Sequence, residues 1–440
     1  MNSMNRHVYF IGIKGTGMAS LALICDNLGY EVSGSDIPTH FFTEDPLRER
    51  NIPIYGFGVE NIKDNMIVVA GNAFLDNHEE IVSAKSNPTI TFYRYHEFLG
   101  KIMEDFRTIA VSGSHGKTTT TTMLRDMLDA QYNTGYLIGD GRGSLSTENE
   151  YFAVEACEYR RHFLSYYPEV AIMTNFEIDH VDYFKDDADY LDAYRDFAKN
   201  VKEKIIVWGD DPHIEALNLT MDKVWTYGFA KENDISIANL EKGTNFSNFD
   251  VIFKNEFIKR FELPLVGDHM ILNALAVIGV GLYEKTPLDL IEKGLQNFQG
   301  AKRRYVVKEV KESVIIDDYA HHPTEIKVTL EATRTRFPDR KIVAIFKPHR
   351  VGRVYYFADE FEEALKLADE VGLCPFTSID DKEEGIDIDI TYLQDRIEGS
   401  FIVEDDESSI EMLAKFKPAI YVFMSSKNIY DLESQLEALL

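Results

Sequence analysis

A glycine-rich loop that carries a lysine and hydroxyl side chains follows a short run of β-branched apolar residues. From residue 110 to residue 118 it reads Ala-Val-Ser-Gly-Ser-His-Gly-Lys-Thr. Glycines let backbone N–H groups close around phosphate oxygens, a lysine adds positive charge, and a threonine hydroxyl reaches Mg²⁺. The full Walker A spacing would put a glycine at Val111, so this loop is shorter. We predict a nucleoside triphosphate site rather than a plain glycine turn, at Gly113, Ser114, His115, Gly116, Lys117, Thr118 and Thr119.

Acidic side chains and a histidine follow the next two apolar runs. Glu155 comes directly after one run, and Glu158, a weaker candidate, is close behind it. Asp179 and His180 follow the second run. Mg²⁺ prefers oxygen ligands, and ligands of parallel sheets collect at the carboxyl ends of strands. Each group alone would pass for a solvated loop side chain, but three strand ends that converge on the glycine loop favour a metal site there.

Polar residues are also dense after two apolar runs near the C-terminus. His321 and His322 follow one run, while Arg350 and Arg353 follow the other. Adjacent histidines point apart on an extended chain and no third ligand is evident, which disfavours a metal. Two arginines can form a fork for a carboxylate or phosphate, although surface arginines are the alternative. We predict that this region binds and orients a substrate.

A second glycine turn occurs at residues 12–17, after the first apolar run, and Asp36 follows the next run. The arrangement is similar to a dinucleotide fingerprint, but the order is GxxGxG. It indicates phosphate or pyrophosphate binding, with close helix packing as the alternative. An NAD-dependent oxidoreductase would explain only this turn and would leave Lys117 and Glu155 without a role. Two phosphate loops predict two phosphate-bearing ligands.

These loops require strands and helices to position them. Short apolar runs alternate with helical patterns, which is typical of parallel sheets covered by helices. Residues 235–265 alternate like strands. We predict an α/β protein with three domains at residues 1–103, 104–300 and 301–440.

Composition narrows the class of protein. The 440 residues include 46 Lys and Arg against 74 Asp and Glu, a net charge of −28 that disfavours nucleic acid and anionic membranes as partners. Cys25, Cys157 and Cys374 fit buried thiols in a reducing compartment rather than disulfides or zinc. We expect no membrane insertion, no signal peptide and a cytoplasmic location. The acidic run at residues 380–384 is predicted to be a solvated loop.

Taken together, the motifs resemble the Mur ligase family over nearly the whole chain, and its alanine-adding branch in particular. The resemblance rests on the two glycine loops and on Glu155 to Glu158, Asp179-His180, Gly267-Asp268-His269 with Asn273-Ala274, Lys302-Arg303-Arg304, the segment from Asp317 to Glu325, and Pro348-His349-Arg350.

The resemblance implies an N-terminal Rossmann-like domain for a UDP-sugar, a central P-loop ATPase-type domain and a C-terminal Rossmann-like domain for an amino acid. It implies an ATP- and Mg²⁺-dependent ligase that joins L-alanine to UDP-N-acetylmuramate through an acyl phosphate, for peptidoglycan synthesis. Alanine, glycine and serine stay open as acceptors, and so do a monomer and a homodimer.

Residue roles follow by position in the family's motifs. The resemblance places Lys117 and Arg303 on the phosphates of ATP, Asn273 on its adenine and Asp318 near its ribose. It places Thr118 and Glu155 on a first Mg²⁺ and His180 beside a second metal. The amino acid would lie at His321, His349, Arg350 and Arg353. The UDP-sugar would lie at Gly15, Thr16, Gly17, Asp36 and Asn72. Lys117, Glu155, His180 and His321 form the expected catalytic set.

One departure from the family's pattern leaves alternatives open. Where many members of the branch have a glycine-rich loop after the last strand, this chain has Ser425-Ser426-Lys427-Asn428. Loss of both glycines changes the backbone conformations that the loop can adopt. The alternatives are a ligase that adds a murein tripeptide to the same UDP-sugar and a paralogue with an altered acceptor or lost activity.

Overall fold

The computed structural model describes residues 7–180, 183–377 and 385–440. Within these residues a five-stranded, a ten-stranded and a six-stranded sheet succeed one another along the chain. Helices connect the strands, so the predicted three-domain α/β class is confirmed. The domain boundaries at residues 103 and 300 stay predictions. The acidic run at 380–384 lies outside the described residues.

The first sheet is parallel throughout, in the order β3-β2-β1-β4-β5. Residues 8–11 of β1 are fully buried because neighbouring strands flank the central strand and side chains cover both faces. The strands are β1 (His7–Ile11), β2 (Glu31–Ser35), β3 (Ile54–Tyr55), β4 (Ile67–Ala70) and β5 (Thr91–Arg94). The helices are α1 (Thr16–Asn27), α2 (Glu44–Glu49), α3 (Glu79–Ser86) and α4 (Tyr95–Met103).

The second sheet has a parallel centre and antiparallel strands at both ends. The strands are β6 (Arg107–Ser112), β7 (Thr134–Leu137), β8 (Gly143–Ser144), β9 (Tyr151–Glu155), β10 (Val170–Met173), β11 (Lys204–Trp208), β12 (Val224–Tyr227), β13 (Ile235–Lys242), β14 (Ser247–Phe253) and β15 (Glu256–Leu263). Their order in the sheet is β15-β14-β13-β12-β11-β10-β6-β9-β7-β8. The helices are α5 (Lys117–Asp129), α6 (Asp187–Asn200), α7 (Ile214–Leu217), α8 (Asp268–Tyr283) and α9 (Leu288–Gln296). The strand pattern predicted for residues 235–265 is thereby confirmed.

The third sheet is parallel except at β16. The strands are β16 (Val306–Val310), β17 (Ser313–Asp318), β18 (Ile342–Phe346), β19 (Glu370–Leu373), β20 (Phe401–Ile402) and β21 (Ile420–Met424). Their order in the sheet is β16-β17-β21-β18-β19-β20. The helices are α10 (Pro323–Arg336), α11 (Val351–Tyr356), α12 (Ala358–Leu365), α13 (Thr391–Gln394), α14 (Glu407–Ala414) and α15 (Tyr430–Leu439).

The carboxyl ends of these sheets carry the polar loops. In the second sheet β6 lies between β9 and β10, so the loops after all three strands meet at one edge. The loops after β17 and β18 belong to the third sheet and contact this edge. No helix in the described part of the chain is both long and apolar enough to cross a membrane.

Candidate active site at the junction of three domains

The loop between β6 and α5 has a backbone that only glycines allow at two positions. Gly113 has φ +131° and Gly116 has φ +80°. A Cβ atom on Gly113 would lie 2.0 Å from Oγ1 of Thr174, at the end of β10. The loop is therefore pressed against the neighbouring strand end, and its curvature leaves the N-terminus of α5 facing the cleft, as an anion site requires.

Lys117 is the first residue of α5, and its side chain folds back over the loop. Its Nζ donates to the carbonyl oxygens of Gly113 and Ser114 at 2.5 and 3.0 Å. It also pairs with Oε2 of the fully buried Glu158 at 2.9 Å. Burial alone would lower the pKa of Lys117, but the negative charge of Glu158 outweighs it and raises that pKa. Lys117 is thus held as a fixed positive charge beside the loop.

Thr118 and Glu155 lie next to Lys117 and present oxygen atoms. Oγ1 of Thr118 donates to Oε2 of Glu155 at 2.9 Å, and the backbone N–H of Gly139 donates to the same oxygen at 2.7 Å. A hydroxyl and a carboxylate beside a phosphate loop are the ligand types that Mg²⁺ takes. The donor set therefore fits the predicted ion.

His115 links the loop to the third domain. Its Nε2 lies 3.1 Å from Glu177 and its Nδ1 lies 3.3 Å from Glu325 on α10. Burial would lower the pKa of His115, yet its hydrogen bonds to the two carboxylates raise it to about 10. Thr324 donates to Glu177 at 2.7 Å, so the same carboxylate binds both domains. The third domain is held closed over the loop by a charged pair.

A cavity of about 520 Å³ opens beside the loop, between the second and third domains. Asn273 and Asp318, both predicted for ATP, line it. Burial raises the pKa of Asp318 to about 7, against the opposing charge of Arg304. Apolar and aromatic lining with a few polar groups is typical of nucleoside pockets. The apolar and aromatic lining residues include Trp208, Tyr227, Met270, Leu272, Phe298, Tyr305 and Val328.

Of the two adjacent arginines, the structure brings the second into this cavity. Arg304 lines it and lies 3.6 Å from Glu325. Arg303, predicted for the phosphates, instead donates to the carbonyl oxygens of Ser425 and Lys427 at 2.7 and 3.0 Å. Arg303 thereby supports the loop that replaces the family's glycines.

His180 lies beside Glu158, the carboxylate that pairs with Lys117. Its Nε2 is 3.6 Å from Oε1 of Glu158, and its ring packs on Tyr159 at 4.5 Å. Burial lowers the pKa of His180. Asp179 pairs with Arg353 of the third domain at 2.8 Å, so the donors of Arg353 are engaged within the protein.

The remaining residues predicted for the amino acid lie on the third domain beside this cluster. His321 donates through Nδ1 to the carbonyl of Tyr319 at 3.0 Å. His349 bonds Oγ of Ser426 at 2.9 Å, and burial lowers its pKa to about 3. The Arg350 guanidinium lies 5.9 Å from the ring centre of Tyr159. Arg350 and Tyr159 thus join the third domain to the second.

Thr16 and Asn72, two of the residues predicted for the UDP-sugar, lie at the junction of the first and second domains. Asp36 accepts the backbone N–H groups of Lys14 and Ile37, so it fixes the glycine turn. Tyr95 packs directly on Gly17. The two junction residues contact the second domain: Thr16 lies beside Gly141, and Asn72 bonds His162 at 3.2 Å.

Several groups at the site were not predicted for it. Four of these groups lie within a few positions of predicted residues: Glu177, Glu325, Arg304 and Tyr159. The fifth is Glu158, which was the weaker candidate beside Glu155. Two consecutive left-handed residues, Arg160 and Arg161, turn this segment, and no residue type in the sequence indicates them. The contacts form only when three domains meet, which residue spacing does not encode.

Comparison with known families matches all three parts of the chain. Residues 7–107 match the Mur ligase family, catalytic domain; residues 111–281 match the Mur ligase middle domain; residues 302–428 match the Mur ligase, glutamate ligase domain.

Solved structures give the same result. UDP-N-acetylmuramate-alanine ligase MurC from Thermotoga maritima superposes with a TM-score of 0.79 and 26% identity over 98% of both chains. A murein peptide ligase from Psychrobacter arcticus gives 0.70 and 23% over 98% of both chains. The MurF ligase from Thermotoga maritima, solved in complex with ADP, gives 0.67 and 16% over 100% of this chain and 99% of that one. The last two support the fold alone.

Proposed function

This chain belongs to the Mur ligase family, and on that premise we propose that it joins L-alanine to UDP-N-acetylmuramate at the expense of ATP, with release of ADP and phosphate. The observation that carries the proposal is that the side chain of Lys117 is fixed between the loop carbonyls and the buried Glu158. The step belongs to peptidoglycan precursor synthesis, and its proposed location is the cytoplasm.

The residues around the loop divide the work of holding ATP. The loop N–H groups and Lys117 bind the β and γ phosphates, while Asn273 and Asp318 contact the nucleoside in the adjoining cavity. Arg304 takes the phosphate role first predicted for Arg303, because it faces the cavity. Thr118 and Glu155 would hold Mg²⁺, and His180 would support a second ion. A bound Mg²⁺ neutralises charge on the phosphate oxygens.

The chemistry requires activation because a carboxylate is inert toward an amine. The muramoyl carboxylate oxygen attacks the γ-phosphorus, the bond to the β-phosphate oxygen breaks, and ADP leaves. The amine nitrogen then attacks the acyl phosphate carbon, loses a proton and expels phosphate. Lys117 stabilises negative charge in both steps. The His115–Glu325 and Asp179–Arg353 contacts keep the domains closed and exclude water, which would otherwise hydrolyse the acyl phosphate.

We assign the amino acid to the edge of the third domain. His321, His349 and Arg350 would place its carboxylate and amine. Arg353 would act through its pair with Asp179, whose Oδ1 also accepts the backbone N–H of His180. The UDP-sugar would lie along Gly15, Thr16, Gly17, Asp36 and Asn72, so its muramoyl end points toward Lys117.

Phosphate release tests the proposal. The purified protein is mixed with ATP and Mg²⁺, with and without UDP-N-acetylmuramate, across L-alanine, glycine, L-serine and a murein tripeptide. We expect release only when both the UDP-sugar and a small amino acid are present, and greatest with L-alanine. Preference for the tripeptide would show that the tripeptide, and not L-alanine, is the acceptor. Absence of phosphate release with every acceptor would contradict the proposal.

A further inference from the structure

A histidine pair lies at the junction of the first and second domains. The rings of His96 and His162 stack at 4.3 Å with an angle of 19° between their planes. His96 is at the start of α4, and His162 follows the left-handed turn at residues 160–161.

Asn72 fixes the tautomer of each ring. Its Oδ1 lies 3.1 Å from Nδ1 of His96, and its Nδ2 lies 3.2 Å from Nδ1 of His162. An amide oxygen only accepts and an amide nitrogen only donates, so His96 carries its proton on Nδ1 and His162 carries its proton on Nε2. The two Nε2 atoms are therefore one acceptor and one donor.

Both Nε2 atoms are available to a ligand. Within the described residues neither has a protein hydrogen-bond partner, and neither belongs to the buried atoms that lack one. Asn72, His96 and His162 are half-buried. Burial lowers the pKa of His96, and burial with the neighbouring charges of His96 and Arg160 lowers that of His162 to about 4. The rings are thus neutral hydrogen-bonding groups at neutral pH.

The pair lies between the two glycine loops. Tyr95, which precedes His96, packs on Gly17 of the first loop. On the other side, the segment that carries His162 begins with Glu158, the partner of Lys117. The chain segments that carry the two rings thus lead to the first loop on one side and to the partner of Lys117 on the other.

We propose that the Nε2 atoms of His96 and His162 bind the uncharged acetamido and hydroxyl groups of the UDP-linked amino sugar. A secondary amide offers one acceptor and one donor, which matches the donor and acceptor that Asn72 sets. This inference rests on the proposed function and extends it, because it names the groups that distinguish the sugar from the nucleotide.

Titration calorimetry with three probes tests the inference: UDP, UDP-N-acetylglucosamine and UDP-N-acetylmuramate. For His96→Asn and His162→Asn, which keep a group near the Nδ1 position and remove Nε2, we expect roughly ten-fold weaker binding of both UDP-sugars. Affinity for UDP and the KM for ATP stay at the wild-type values. His162→Gln restores an N–H near the Nε2 position and recovers most of the affinity.

His7→Asn is the matched control, because His7 lies at the amino end of β1, away from both loops, and bonds Ser33. We expect it to bind all three probes like the wild type. Equal loss of UDP and UDP-sugar affinity in the His96 and His162 variants would show a purely structural role and overturn the inference. Loss confined to UDP-N-acetylmuramate would also overturn it, since the contact would then be to the lactyl carboxylate. A wild-type protein that binds no UDP-sugar would overturn the proposed function as well.

Discussion

The two glycine turns of this chain begin alike and end in different environments. Each follows an inner strand with parallel neighbours, opens a helix and contains a lysine whose side chain is largely buried. Nζ of Lys14 donates to the carbonyls of Ile37 and Thr39 and pairs with Glu44 at 2.7 Å, all within its own domain. Nζ of Lys117 instead contacts the loop itself and Glu158.

The difference shows that a lysine in a glycine turn takes its role from its carboxylate partner. Lys14 ties down the chain that follows β2 and so shapes the turn. Lys117 stands at the meeting point of three strand ends, where its charge faces the site. Both turns contain glycines with positive φ, namely Gly12 at +81° in the first turn and Gly113 and Gly116 at +131° and +80° in the second. The lysine is therefore a structural anchor in the first turn and part of the proposed phosphate site in the second.

The largest expected difference comes from removing each lysine in turn. Lys117→Met should lower kcat by about 10³-fold, since a fixed charge on the transferred phosphoryl group is lost. Lys14→Met should lower the melting temperature but keep kcat at saturating substrate, because Lys14 contacts only its own domain. Phosphate release and thermal unfolding of both variants measure this. Similar losses of kcat in the two variants would show that Lys14 and Lys117 do not differ in their roles.

Removal of the carboxylate partner sharpens the comparison. Glu158→Gln leaves the charge of Lys117 buried without compensation, which costs about 3 kcal/mol. We expect a lower melting temperature together with a lower kcat. Glu155→Gln, which leaves the Lys117 pair intact, should instead raise the Mg²⁺ concentration needed for activity. If Glu158→Gln is as stable and active as the wild type, the carboxylate does not set the role of Lys117.

A methyl group placed in each turn has a smaller effect. Gly113→Ala meets Oγ1 of Thr174 at 2.0 Å and adds about 1–3 kcal/mol of backbone strain. Gly15→Ala meets nothing nearer than 3.4 Å at a φ that alanine adopts. Calorimetric affinity for an ATP analogue should fall in Gly113→Ala and stay unchanged in Gly15→Ala. If alanine leaves the affinity for the ATP analogue unchanged at both positions, the loop does not have the tight backbone turn at Gly113.

The charged contact at His115 makes the stability at the second turn depend on pH in the alkaline range. Its folded pKa of about 10 is above the ordinary value of about 6.5, so its stabilisation is fully present below about pH 6.5. It is lost as pH rises through about 10. The groups that face it are Glu177, Glu325 and His322, and burial lowers the pKa of His322 to about 4, so that ring stays neutral.

Unfolding curves of the wild type and His115→Asn from pH 6 to pH 10.5 measure this contribution. We expect the wild type to be more stable by about 2 kcal/mol at pH 6 and the gap to close by pH 10.5. A gap that is constant over this range would show that the imidazole carries no charge.

The fold was largely predictable because its signals are local. The apolar run at Ile342–Phe346 coincides with β18, and the loop before Lys117 is punctuated by glycines that the backbone requires. Charge and apolar runs indicate such elements without reference to the rest of the chain.

The site was predictable only in part because its contacts cross domains. Arg303 and Arg304 are adjacent and of one type, and the sequence alone does not tell which of them faces the cavity. The His96–His162 stack joins residues from two domains that no motif connects. Roles carried by position in a motif stay predictions until the variants above are measured.

The most direct test of the central claim follows an oxygen atom. UDP-N-acetylmuramate labelled with ¹⁸O in its carboxylate is turned over with ATP, Mg²⁺ and L-alanine, and the released phosphate is analysed by mass spectrometry. Activation of the carboxylate by phosphorylation predicts one ¹⁸O in each phosphate and a product lengthened by one alanine. Phosphate that carries no ¹⁸O while the product forms would contradict the account.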